Sequence, residues 1–286
     1  MHEAIQQQIF IGAGNNRLVA DVGGDASAPA VILLHGGGQT RHSWGQAQRE
    51  LINAGYRVIL FDARGHGESD WMSDADYSLE GQVGDVIAVA RAVGGKPALV
   101  GASMGGVNSL IACGNHPDLA SCLILVDVTP KLEPKGVEHI HKFMAGNPDG
   151  FASIEEAGDA VAAYNPARPR PRNLDGLRKN LRLHDNGRWY WHWDPKIIGG
   201  DRNAKLSNIS TQMLAASDRI KIPVALVRGK ESDVVSPEGA AELRTHIPQL
   251  ELANIQGAGH MIAGDRNDAF NAAVRDFLAR HMPTKK

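Results

Sequence analysis

The sequence predicts an α/β fold: a mostly parallel central sheet flanked by helices, interrupted once by a mainly helical insertion. Six short runs of aliphatic and β-branched residues are hydrophobic throughout rather than at alternate positions, which marks strands covered on both faces. Five of the six runs end in a glycine-containing turn, and most are followed by a helical pattern, the alternation expected of an α/β protein. Between about 131 and 217 that alternation stops.

The elements follow in order. The first 25 residues, with "GAGNN" between two short extended runs, predict a hairpin leading into the sheet. The runs are "PAVILLHGGG" (29–38), "RVILFDARGHG" (57–67), "PALVGASMGG" (97–106), "SCLILVDVTP" (121–130), "PVALVRGK" (223–230) and "ELANIQGAGH" (251–260). Helices are predicted at about 43–54, 78–93, 104–116, 237–246 and 266–281. Residues 1–130 and 218–286 form the predicted core, and 131–217 an insertion rich in Arg, Pro, Asn and Trp, with "NPARPRPRN" and "NGRWYWHWDP". Ligands of open α/β sheets bind beyond the carboxyl ends of the strands, so the turns after these runs are the places to look for chemistry, and an insertion leaving that edge would cover them.

Composition narrows the function. The 286 residues, 43% hydrophobic, suffice for one sizeable core with an insertion. A formal charge of −2, from 30 basic and 32 acidic residues, argues against a nucleic-acid binder. No apolar stretch approaches the roughly 20 residues that span a bilayer, and "MHEAIQQQIF" lacks the basic start and apolar core of a signal peptide. Two cysteines, Cys113 and Cys122, make no disulfide framework or metal spacing. A soluble, cytoplasmic protein is the expectation, and a homodimer stays open.

Gly101-Ala102-Ser103-Met104-Gly105 fits G-x-S-x-G between a strand and a helix. A sharp turn there would hold the hydroxyl clear of the sheet at a helix N-terminus, where amides and the helix dipole favour negative charge. A serine that merely caps a helix serves the motif alone equally well. Other segments shift the balance. His35-Gly36-Gly37-Gly38 closes an earlier strand, and a Gly37 amide could join that of Met104 in an oxyanion hole. His260, in "GAGHM", ends the last strand and could reach the serine. Asp233, in "RGKESDVV", follows the preceding strand and could orient that imidazole.

Together "LLHGGG", "FDARGHGES", "VGASMGG", "RGKESDVVSPE" and "GAGHM" resemble the α/β-hydrolase superfamily, in its branch of small cofactor-free esterases, lactonases, non-haem peroxidases and carbon–carbon bond hydrolases. The resemblance covers nearly the whole chain apart from the insertion, which matches that family's lid in position only. It implies Ser103 as nucleophile, His260 as base and Asp233 as acid, with no metal or organic cofactor. The implied activity is hydrolysis of a small-molecule ester or lactone through an acyl-enzyme. Cleavage of a vinylogous diketone, with lid arginines (Arg168, Arg170, Arg172, Arg178, Arg182) binding a second oxygen, is the alternative. A perhydrolase activity and a non-catalytic ligand receptor are the remaining ones.

Rival residues get their own expectations. Asp127 also ends a strand, and some members of the superfamily carry the acid there; here it is expected to hydrogen-bond backbone at the base of the insertion. His35 and His66 are expected to anchor loops. Gly36, Trp44 and Trp191 are expected to line the substrate pocket, while at least two of Trp189, Trp191 and Trp193 cement the insertion onto the body.

Overall fold

The computed structural model describes residues 5–166, 170, 173–260, 262 and 267–284. Arg168, Arg172 and the predicted helix start at 266 lie outside them.

A hairpin of β1 (Gln6–Ile11) and β2 (Arg17–Gly23) opens the chain. β3 (Ala30–Leu34), α1 (Gly45–Asn53), β4 (Arg57–Phe61), α2 (Leu79–Val93), β5 (Ala98–Ala102), α3 (Met104–Asn115) and β6 (Leu123–Val126) follow. The region predicted as an insertion contains α4 (Pro134–Ala145), α5 (Ile154–Tyr164), the short α6 (Asp175–Arg178), a two-stranded ribbon of β7 (Leu181–Leu183) and β8 (Trp189–Trp191), and α7 (Arg202–Ser217). β9 (Val224–Gly229), α8 (Pro237–His246), β10 (Leu250–Ile255) and α9 (Asn267–His281) complete it.

The sheet runs β1-β2-β4-β3-β5-β6-β9-β10. Every pairing from β4 to β10 is parallel, and β2 joins β4 antiparallel. Side chains alternate along each strand, so both faces are apolar. Ile32 and Leu34 of β3 pack with Leu99, Leu110 and Leu243 on one face, and Val31 and Leu33 with Val100, Phe270 and Phe277 on the other. Each fully buried aliphatic side chain contributes roughly 1.5–3 kcal/mol, so these two layers dominate the stability of the body.

Helix starts follow local chemistry. The hydroxyls of Ser78 and Ser236 accept from the Gly81 and Gly239 amides, capping α2 and α8, and Pro237 opens α8 where no amide donor is needed. α7 begins over the carboxyl edge of the sheet and ends inside the body. Met213 and Ala216 are fully buried there, and a Cβ on Gly114 of α3 would meet the Ala216 carbonyl at 2.5 Å. None of the described helices is long and apolar enough to cross a membrane.

Candidate active site

At the end of β5 the chain turns into α3 within one residue. Ser103 carries the whole turn at φ 46° and ψ −113°, a conformation that costs an L-residue on the order of 1–3 kcal/mol. Its amide donates to the Val126 carbonyl on β6, which ties the turn to the sheet. The flanking glycines are sterically required: a Cβ on Gly101 would stand 2.4 Å from the Gly105 carbonyl, and one on Gly105 would stand 2.5 Å from the Leu34 carbonyl.

Gly36 comes close from the loop after β3, where an added Cβ would be 3.4 Å from that of Ser103. The Gly36 amide is taken by Gln39 Oε1 at 3.1 Å and the Gly38 amide by His66 Nε2 at 3.2 Å. The Gly37 amide between them has no acceptor among the described residues. Met104 opens α3, where an amide has no acceptor inside its own helix. Ser103, Met104, Gly36, Gly37, Trp44 and His260 all line one cavity of about 660 Å³, a size suited to a small-molecule ligand.

His260 donates through Nδ1 to Asp127 Oδ2 at 2.7 Å, with the Asp127 side chain 0% exposed. Asp127 ends β6 at φ 48°. Its other oxygen accepts from the Gly229 amide at 3.1 Å, and Oδ2 also accepts from Ser232 Oγ at 2.5 Å. That serine hydroxyl is aimed by the amides of Val234 and Val235, each at 3.1 Å. Such a set of donors compensates a buried carboxylate and fixes its direction.

Asp233 was the acid expected from the sequence, and the structure corrects this. Its side chain is 55% exposed and lies 3.7 Å from His139 Nδ1 on α4. The reason is packing. The first turn of α4 presses on the 233–234 backbone so closely that a Cβ on Gly136 would meet the Asp233 carbonyl at 2.3 Å. Ser232, one residue earlier, faces inward and meets Asp127 instead.

Trp191 needs a second correction. It stacks on Trp193 at 5.0 Å and meets Phe151 edge-on at 5.1 Å, in a small apolar cluster of the β7–β8 region, instead of lining the cavity. Trp44 does line it, resting against Phe270 at 5.7 Å. Of the arginines expected to face substrate, the three described ones are engaged elsewhere. Arg170 pairs with Asp159, Arg178 lies over the Trp189 ring, and Arg182 donates to the Gly67 carbonyl. Arg202 and Lys205 of α7 line the cavity together with Glu80 and His141, and Arg202 is paired to Glu138. Nothing in their spacing distinguishes them from solvated helix residues.

Three further histidines surround the glycine loop. Burial, aided by nearby His35, pushes the His66 imidazole down to about 3, and burial likewise lowers His35 and, more strongly, His192. All three are therefore neutral near pH 7. Among the described residues no cluster of His, Cys, Asp or Glu is arranged to hold a metal ion.

Residues 29–266 match the family model described as alpha/beta hydrolase fold. The chain is 31% identical over 262 residues to the esterase Rv0045c of Mycobacterium tuberculosis, covering 88% of this chain and 83% of that protein. A solved structure of the same esterase superposes with a TM-score of 0.77 over 96% of this chain and 91% of that one, at 28% identity. A 2-hydroxy-6-oxononadienedioate/2-hydroxy-6-oxononatrienedioate hydrolase of Comamonas testosteroni is 28% identical over 297 residues, covering 94% of this chain and 93% of the relative.

Proposed function

The chain belongs to the α/β-hydrolase fold family, and from that premise we propose that it hydrolyses a carboxylic ester or lactone with Ser103 as nucleophile, His260 as base and Asp127 as acid. The observation that carries this reading is the 2.7 Å hydrogen bond from His260 to a buried carboxylate, made by a histidine that shares its cavity with a serine on a strained turn.

The steps follow from the geometry. With Nδ1–H donated to Asp127, His260 presents an unprotonated Nε2 to the cavity, the tautomer that can take a proton. It receives the Ser103 proton as Oγ attacks the substrate carbonyl carbon. The carbonyl electron pair moves onto oxygen, and the Met104 and Gly37 amides receive the oxyanion. Asp127 stabilises the imidazolium without itself being protonated. Collapse expels the alcohol, which takes the proton from His260, and water repeats the sequence on the acyl-enzyme. The mainly aliphatic cavity wall, including Leu132, Val137 and Ile140, suits an apolar acyl or alcohol group. The described part of the predicted insertion, 131–217, would act as the lid over it, with the end of α7 packed into the body.

A second reading has its own support. Arg202 and Lys205 in the cavity wall suit an anionic substrate, and one relative carries the name of a dienedioate hydrolase. Assaying a ring-fission product beside p-nitrophenyl esters separates the two.

The reading is tested with a fluorophosphonate probe. Wild type should be labelled at Ser103 and lose ester turnover, and Ser103→Ala should not label. A folded wild type that neither labels nor turns over any ester removes the proposal.

A further inference from the structure

The three buried histidines around the glycine loop take no part in the steps above, yet they grip successive peptide units of it. His35 Nδ1 donates to the Gly36 carbonyl at 2.8 Å. In a trans peptide the carbonyl and the following N–H point in opposite directions, so this bond also aims the Gly37 amide. His66 Nε2 accepts from the Gly38 amide at 3.2 Å, holding the next unit. His192 Nε2 donates to the Gly38 carbonyl at 3.3 Å, holding the third.

Backbone groups set each tautomer. Ala63 and Gly67 amides donate to His35 Nε2 and His192 Nδ1 at 2.9 and 2.7 Å, and His66 Nδ1 faces the Arg64 carbonyl at 3.1 Å. A run of three glycines has no side chains to define its conformation, and Gly38 sits at φ 72°. Its geometry must come from such bonds. His35 and His66 belong to the body. His192, just after β8, comes from the lid, and Trp193 beside it stands 3.4 Å from where a Cβ on Gly38 would be.

We propose that His192 is a positioning residue for the oxyanion hole: by holding the Gly38 carbonyl from the lid, it keeps the Gly37 amide directed at the oxyanion. This rests on the serine-hydrolase reading above and on Gly37 as a donor. It makes the β7–β8 part of the lid a fixed brace.

Two variants separate the bonds of the ring. His192→Gln keeps a donor within reach of the Gly38 carbonyl. His192→Asn keeps an acceptor for the Gly67 amide but is too short for Gly38. With a p-nitrophenyl ester, the Asn variant should lose roughly 10–100-fold in kcat, with KM changed less than about twofold, because a misplaced group of this kind can cost about 10²-fold. The Gln variant should stay within about threefold of wild type. Inhibition by a trifluoromethyl ketone, whose adduct places an oxyanion in the hole, should weaken in the Asn variant by the factor lost from kcat/KM.

Equal kinetics in the two variants, or a change in KM alone, overturns the inference. If either variant does not fold, nitrogen NMR of the wild type decides instead. A proton on His192 Nε2 that persists in the ketone adduct supports the bond, and a proton on Nδ1 overturns it. An active wild type with indistinguishable variants sinks this inference alone. A wild type that neither labels nor hydrolyses esters takes the serine-hydrolase reading down as well.

Discussion

Two aspartate–histidine pairs stand at the carboxyl ends of neighbouring strands, and they differ in almost everything except residue type. Asp127, after β6, meets His260 at 2.7 Å with side-chain exposures of 0% and 11%. Asp233, after β9, faces His139 at 3.7 Å with exposures of 55% and 47%. Water competes for both groups of the second pair, and such surface pairs are worth at most about 1 kcal/mol. In the first pair the carboxylate is buried and also accepts from the Gly229 amide and the Ser232 hydroxyl. A carboxylate can dictate the tautomer of an imidazole only when solvent cannot do so instead.

Asp127→Asn attacks the buried pair directly. It should lower kcat for an ester by roughly a thousand- to ten-thousand-fold by stabilising the wrong tautomer, measured in steady state beside a circular-dichroism check of folding. Full activity in that variant would return the acid role to some other residue.

The comparison sharpens when histidines without a hydrogen-bonded carboxylate are added. His35, His66 and His192 are buried among backbone partners, and His66 stays neutral down to about 3. Unfolding frees them to protonate below the usual 6.5, so the unfolded chain binds more protons in that window. Stability must then fall as pH drops from about 6.5 towards 3, by at most about 1.4 kcal/mol per pH unit for each histidine. Urea denaturation at pH 7, 6, 5 and 4 measures the slope, and His192→Gln should make it shallower.

The smallest effect belongs to the exposed pair. Asp233→Asn and His139→Gln should each leave kcat/KM within about twofold and stability within about 0.5 kcal/mol, as for surface substitutions in general. A large kinetic loss in Asp233→Asn would break the comparison.

Much of this was legible in the sequence. Unbroken hydrophobic runs located β3, β4, β5, β6 and β9, because a strand buried on both faces has no polar side to interrupt it, whereas the edge strand β10 carries Glu251 and Asn254 and is partly exposed. Ser103 and His260 stood out because their turns carry unusual residues at set positions. The carboxylate that meets His260 did not, since Asp127 and Asp233 both follow a parallel strand, and the close packing of Gly136 on the 233–234 backbone is not visible in the sequence. Trp191 was misplaced for a related reason: aromatic residues suit a cavity wall and a small apolar cluster equally well. Arg202 gave no signal, because its place in the cavity depends on where α7 crosses the sheet edge.

The left-handed backbone at Ser103 has a consequence beyond catalysis. Glycine would occupy that dihedral region without a side-chain penalty, so Ser103→Gly trades relieved strain against a looser denatured chain. The residue proposed as nucleophile thus sits in a backbone conformation that its own side chain disfavours. A ranking of substitutions by melting temperature alone gives no weight to the role proposed for Ser103, so an engineer should hold position 103 fixed before optimising anything else.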